Sequence, residues 1–138
     1  RLEAGTHNIA GIAGLLEGLR FLRREGVGAI AAREEQLIRQ MGEGLSRMPG
    51  VEVFQAPAGS KAQAGVLSFR VRGWDCEELG EELGRRGVAL RAGLHCAPLA
   101  HRTAGTLETG TLRASVSAFT TPQEVREFLR ILGGRLQK

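Results

Sequence analysis

Lysine is nearly missing from this 138-residue chain: of its 19 basic residues only Lys61 and Lys138 are lysines. Lys61 falls in a loop and Lys138 is the last residue, so an enzyme needing a Schiff-base lysine has to find it elsewhere. Cysteine is as sparse. Cys76 and Cys96, twenty residues apart, give neither a disulfide framework nor paired metal-ligand spacing, and a reducing, cytoplasmic setting is the default expectation. There is no apolar run of about 18 residues and no signal-like start, so no membrane span or targeting segment is expected. The net charge of +4 comes from scattered residues without a basic run, and the five Phe and one Trp do not interleave with them. Those charges read as solvated helix faces rather than a nucleic-acid surface. What remains is an ordinary globular composition, 42% hydrophobic and 25% charged, enough for one domain with its own core.

Periodicity predicts a helix from Asn8 to about Glu25, with Ile9, Ile12, Ala13, Leu16 and Leu19 recurring at helical spacing and Arg23, Arg24 and Gly26 closing it. Gly11, Gly14 and Gly18 inside it each cost about 1 kcal/mol against alanine, so close packing on that face is expected. A second helix carries Ile30, Leu37, Ile38, Met41, Leu45 and Met48, and Pro49-Gly50 ends this helical part. Val51 to Val53 is a short strand. Gln55 to Ala64 is a small-residue loop, and Val66 to Val71 alternates as a strand with Leu67, Phe69 and Val71 on one face. Arg70, Arg72 and the tryptophan Trp74 receive no role beyond packing. Asp75 with Glu78 resembles a capping-box start for a helix from Cys76 to Arg86, and because Cys76, Leu79 and Leu83 share its inner face, Cys76 reads as a buried, inert thiol.

Val88 and Leu90 then alternate as a short strand that Gly93 breaks, and the chain presents His95 and Cys96 side by side on a loop. Pro98 to Gly110 lacks periodicity and reads as a long irregular segment, functional or mobile. Thr111 to Val116 is a strand with Leu112, Ala114 and Val116 inward, which turns Thr111, Arg113 and Ser115 to the other face. Thr121, Pro122 and Glu124 open a final helix docked by Val125, Phe128, Leu129 and Leu132 and stopped by Gly133-Gly134. The sum is an α+β layer: a small, largely antiparallel sheet covered by helices on one face.

Chemistry concentrates at Cys96. The thiolate is the nucleophilic form of cysteine, and Arg91 and His95 are the kinds of neighbour that favour it if the fold brings them close. From pattern alone the segment also reads as a half-buried cysteine at a strand end. A metal reading gathers Cys96, His95 and His101, with Cys76, but their spacing is not a standard zinc pattern, and no metal is assigned.

Three ordered segments add specificity. Arg91-Ala92-Gly93-Leu94-His95-Cys96-Ala97 resembles the catalytic-cysteine segment of the cysteine desulfurases, pyridoxal-phosphate enzymes of fold type I in the class V aminotransferase group. Arg1-Leu2-Glu3-Ala4-Gly5-Thr6-His7-Asn8 resembles the family's R-x-E-A-G-T-P-N with His7 in place of proline, and Gly110-Thr111-Leu112-Arg113-Ala114-Ser115 resembles the strand bearing its substrate-binding arginine. Phe119-Thr120-Thr121 departs from the family's aromatic-Asn-Thr.

The resemblance implies the C-terminal small domain of such an enzyme, with residues 1–48 as leading helices and 49–138 as the α/β part that carries the cysteine loop. It implies that Cys96 takes sulfur from L-cysteine as a persulfide, with alanine released, and that Arg113 clamps the substrate carboxylate. Arg91 and His95 support the thiol, and Thr6 reaches the cofactor phosphate of the neighbouring subunit in a homodimer. Pyridoxal phosphate, a sulfur-acceptor protein and use of the sulfur in iron–sulfur cluster assembly belong to the same implication. Selenocysteine lyase or another class V lyase shares the scaffold, and a non-enzymatic dimerisation or interaction domain is the reading outside enzymes. The chain starts without methionine inside a motif, as a fragment of a longer protein does. With the large domain absent, these residues alone are expected to bind little pyridoxal phosphate and to leave cysteine unturned.

Overall fold

The computed structural model describes residues 5–57, 60 and 63–137, and in them five helices and four strands follow one another. The first motif's Arg1 to Ala4 and both lysines lie outside the described residues. The elements are α1 (Ile9–Glu25), α2 (Val27–Ser46), β1 (Val51–Phe54), β2 (Val66–Val71), α3 (Cys76–Arg85), β3 (Arg91–Gly93), α4 (Pro98–Ala104), β4 (Thr111–Ser115) and α5 (Pro122–Leu136). The strands form one antiparallel sheet in the order β1-β2-β4-β3, as an α+β layer requires.

Register explains the two faces. Phe69 lies opposite Val53 and Leu112, and Leu112 opposite Ala92, so this row points one way. On that face Leu67, Phe69, Val71, Leu112 and Ala114 meet Leu37, Ile38, Met41 and Leu45 of α2, Leu79 and Leu83 of α3, and Val125, Phe128 and Leu132 of α5. The Phe69 and Phe128 rings sit 6.0 Å apart at 54°. Each fully buried side chain of this size stabilises the fold by about 1.5–3 kcal/mol relative to exposure. Cys76 belongs to this core and, at 8% exposure, is the buried thiol the helical pattern implies. Burial is the main influence on it and pushes its pKa up. Close packing also dictates a glycine: at Gly110, with φ of +60°, a Cβ would fall 2.9 Å from Cys76 Sγ.

Local caps set most boundaries. Asn8 Oδ1 accepts the Gly11 N–H at 2.9 Å and so caps α1, leaving Thr6 exposed and outside that role. Asp75 accepts the amides of Glu77 and Glu78 to start α3, and Thr121 with Glu124 forms a complete capping box for α5.

Three expectations need correction. The strand expected at Val88 to Leu90 begins only at Arg91, because the Val88 amide bonds Leu83 O to close the end of α3 and pairing with β4 starts one step later. Gly93 ends that strand, opposite Thr111, as its glycine break implies. The segment read as irregular holds α4, with Pro98 at its start and Gly105 at φ +66° as its left-handed cap; seven residues are too few to show a period. Gly133-Gly134 do not stop α5, which runs to Leu136 because Leu136 packs on the core and Arg135 lies 4.3 Å from the Trp74 ring centroid while bonding Glu82.

The close packing expected on α1 is likewise missing among the described residues. Its side chains leave Ile9, Ile12, Leu15, Leu16 and Leu19 between 46 and 69% exposed, and Gly14 and Gly18 face open space. Its one aromatic, Phe21, stacks on Phe119 at 5.2 Å and ties the helix to the loop before α5. No helix of the described residues is long and apolar enough to cross a membrane.

Candidate functional site

The opposite face of the sheet is built from the same strands with the other parity. Phe54, Ser68, Arg113 and Arg91 form one cross-strand row, and Thr111 lies opposite Gly93 beside it. Helix α4 lies across this face, which is why Thr111 is 2% exposed despite belonging to the side that the alternation leaves polar. The sequence therefore has the strand's parity right and the burial of its outer face wrong. Arg70, without a role in the sequence, ties the covering in place: it bonds Glu52 at 2.7 Å and donates to the Gly105 carbonyl at 3.1 Å.

Between β3 and α4 the chain reverses through Leu94 to Ala97, closed by an Ala97 N–H to Leu94 O bond of 2.9 Å. His95 and Cys96 occupy its two central positions with φ of +52° and +58°. They are the described residues other than glycine with positive φ, and such a conformation costs on the order of 1–3 kcal/mol per residue. Neither has the missing Cβ that makes the left-handed region cheap. A turn that spends this much on holding a cysteine outward has the signature of a functional constraint. Cys96 is exposed, the opposite of Cys76.

His95 folds back onto the sheet. Its Nε2 lies 3.2 Å from Thr111 Oγ1, and its ring centroid is 5.7 Å from that of His101. Burial, then the positive charge of Arg113, then His101, hold its pKa below the ordinary imidazole value, so the ring is neutral at pH 7. Its Nδ1 is buried without a hydrogen-bond partner, and so is Nε of Arg113. An unpaired buried donor costs about 1–3 kcal/mol. Arg91 and Arg113 sit opposite each other across β3 and β4, a like-charge pair that destabilises a bare sheet. Two guanidiniums on one row, one with an unsatisfied N–H, make a site that an anionic group with paired oxygens relieves.

Of the residues singled out by sequence, the structure pairs Arg91 with Arg113 across β3 and β4 and places His95 within reach of their charge, while Cys96 follows His95 on the exposed turn. Thr6 stands apart, exposed ahead of α1. Sequence reading gave Thr111 and Thr106 no role in the site and His101 none beyond the metal set that it did not assign. His101 and Thr106 are buried at 7 and 1% exposure and joined by a 2.8 Å contact from Nδ1 to Oγ1. The signal was present in Pro98 and Gly105, which bracket a helix with His101 on it. Among the described residues no group of three or more His, Cys, Asp or Glu is placed to hold a metal.

These features define a class: an α+β domain that displays a thiol on a strained turn next to a strand that pairs two arginines across one sheet face. The chain belongs to the aminotransferase class-V family, whose model matches residues 1–128. It is 42% identical over 130 residues to a probable cysteine desulfurase of Mycolicibacterium paratuberculosis, covering 94% of this chain and 18% of that protein. The apo cysteine desulfurase of Thermococcus onnurineus superposes with a TM-score of 0.87 at 34% identity, covering 99% of this chain and 33% of that one. The S-sulfonic acid form of the cysteine desulfurase CsdA from Escherichia coli gives 0.83 at 29% identity, covering 99% and 32%. The chain thus spans about a fifth to a third of the length of the proteins it matches.

Proposed function

We propose that this chain is the C-terminal, thiol-bearing domain of a pyridoxal-phosphate-dependent cysteine desulfurase, in which Cys96 accepts the sulfur of L-cysteine. The observation that carries the reading is the exposed Cys96 held at positive φ in the turn whose neighbouring residue, His95, feels the charge of the unsatisfied Arg113. The family membership and the cysteine desulfurases among its relatives support it.

The residues at hand suit the carboxylate of an amino acid better than the cofactor itself. Arg113 supplies a buried donor without a partner, whereas the chain's two lysines are Lys61 and Lys138, outside the described residues. Thr6 is the hydroxyl assigned to a cofactor phosphate, that of the neighbouring subunit in a homodimer. When bound, pyridoxal phosphate stores the electron pair left on the substrate carbon as its C–S bond breaks, and that carbon leaves as alanine once protonated.

The chain's own residues do the rest. Arg113 grips the carboxylate through parallel N–H donors, with Arg91 adding positive charge on the same row. That fixes the substrate sulfur over the turn. Cys96, as thiolate, forms the S–S bond to that sulfur while the substrate's C–S bond breaks, leaving a persulfide for an acceptor protein. His95 enters the site neutral, so its ring is able to take up the Cys96 proton. The Cys96 thiol stays ahead of Cys76 in this role because Cys76 is walled into the core.

The test is turnover of L-cysteine by the holoenzyme whose chain includes these residues. Equal amounts of alanine and sulfide in the presence of a thiol reductant are expected, with Cys96→Ala abolishing sulfide release and Cys76→Ala leaving it intact. Undiminished sulfide from Cys96→Ala contradicts the assignment.

A further inference from the structure

The turn that carries Cys96 runs directly into α4, so whatever fixes α4 fixes the thiol. A helix of this length has no stability of its own in water and depends on tertiary anchors. Ala97, at its start, supplies no side-chain cap. Leu99 is 70% exposed, and a single side chain of the helix is buried, His101. Where α4 meets the sheet an open groove of about 140 Å³ is lined by Phe54, Ser68, Ala100, His101, Ala104 and Thr111 among others. Aliphatic packing therefore does not hold the helix down.

His101 does. Its Nδ1 meets Thr106 Oγ1 at 2.8 Å, the Thr106 amide bonds the His101 carbonyl at 2.9 Å, and its ring stands against His95, which is in turn held by Thr111 of β4. A chain of contacts thus runs from Thr106 through His101 and His95 to the sheet, with Cys96 next to its last mobile member.

We propose that His101 is a positioning residue, the pin that fixes α4 and thereby the left-handed His95-Cys96 turn that presents the thiol. The inference rests on the reading of Cys96 as the sulfur acceptor, but its test does not use activity. An ordinary satisfied core histidine keeps the fold intact without governing the turn; a pin governs the turn while the sheet stays as it is.

The readout is amide hydrogen exchange by NMR on the holoenzyme whose chain includes these residues. The Ala97 amide, which closes the turn, and the amides of the β2–β4 ladder are followed together. In His101→Ala and in Thr106→Val the Ala97 amide is expected to exchange roughly tenfold faster or more while the ladder stays protected, as local opening without global unfolding does. His101→Asn, which keeps a polar atom where Nδ1 stood, is expected to restore slow exchange. If His101→Ala also exposes the ladder, Thr106→Val decides, because it removes one hydroxyl at nearly constant volume. Unchanged Ala97 exchange in Thr106→Val, or in both variants with the ladder protected, overturns the proposal. Loss of the sulfur-acceptor reading shows separately, as a Cys96→Ala holoenzyme that still releases sulfide.

Discussion

The two faces of the four-stranded sheet are made by alternate residues of the same strands, yet they obey different rules. On one, Leu67, Phe69, Leu112 and Ala114 vanish into a core shared with three helices. On the other, Arg113 and Arg91 sit side by side, Arg113 and His95 keep buried nitrogens without partners, and a short helix borders an open groove. The first face is optimised for the folded state alone. The second carries stored costs: unpaired buried polar atoms, and two left-handed residues in the turn that leaves its edge.

The contrast sets an order of expected effects. The largest is Phe69→Ala, fully buried in the helix-covered face, which is expected to lose about 3–5 kcal/mol of stability in chemical denaturation. A loss under 1 kcal/mol would mean that this face is not the core. Arg113→Ala is next, and it separates the faces: stability is expected to change little or to rise, because it removes an unpaired buried donor. In the holoenzyme, kcat/KM for L-cysteine is expected to fall by about 10–100-fold, the loss of a charge-assisted carboxylate contact.

Smaller in energy but sharper in contrast is thiol labelling of the native chain. Cys96 is expected to be alkylated at once and Cys76 only after unfolding, read by peptide mass mapping. Equal labelling would erase the distinction between the two cysteines.

The smallest effect is pH-dependent. His95 has its folded-state pKa lowered, so the unfolded chain takes up a proton that the folded chain resists. Its contribution to stability is whole above the unfolded value of about 6.5 and is lost as pH falls from there through the lower folded value. His95→Gln is expected to flatten the stability profile in that window. A profile that is unchanged would put the ring in solvent.

Much of this was legible in the chain. Leu112, Ala114 and Val116 declare β4's inner face by alternation, and Asp75, Thr121 and Glu124 declare their helix starts, because caps and period-two patterns are local signals. Arg113 and Cys96 were marked as candidates by motif. What escaped reading was non-local. Thr111 looks outward by alternation but is sealed by α4, and α4 itself is too short for periodicity. His101 and Thr106 gain meaning only once the helix lies over the sheet and brings His101 beside His95. The helical spacing of α1's apolar residues holds, while the packing expected on its glycines is absent among the described residues.

The decisive observation is where sulfur lands. Holoenzyme treated with L-cysteine without reductant, then digested and mapped by mass, is expected to show one added sulfur atom on the peptide containing Cys96 and none on that containing Cys76, with Arg113→Ala sharply reducing the yield. Alanine formed with no sulfur on Cys96, or with the sulfur on Cys76, contradicts the assignment of the Cys96 turn as the site of transfer.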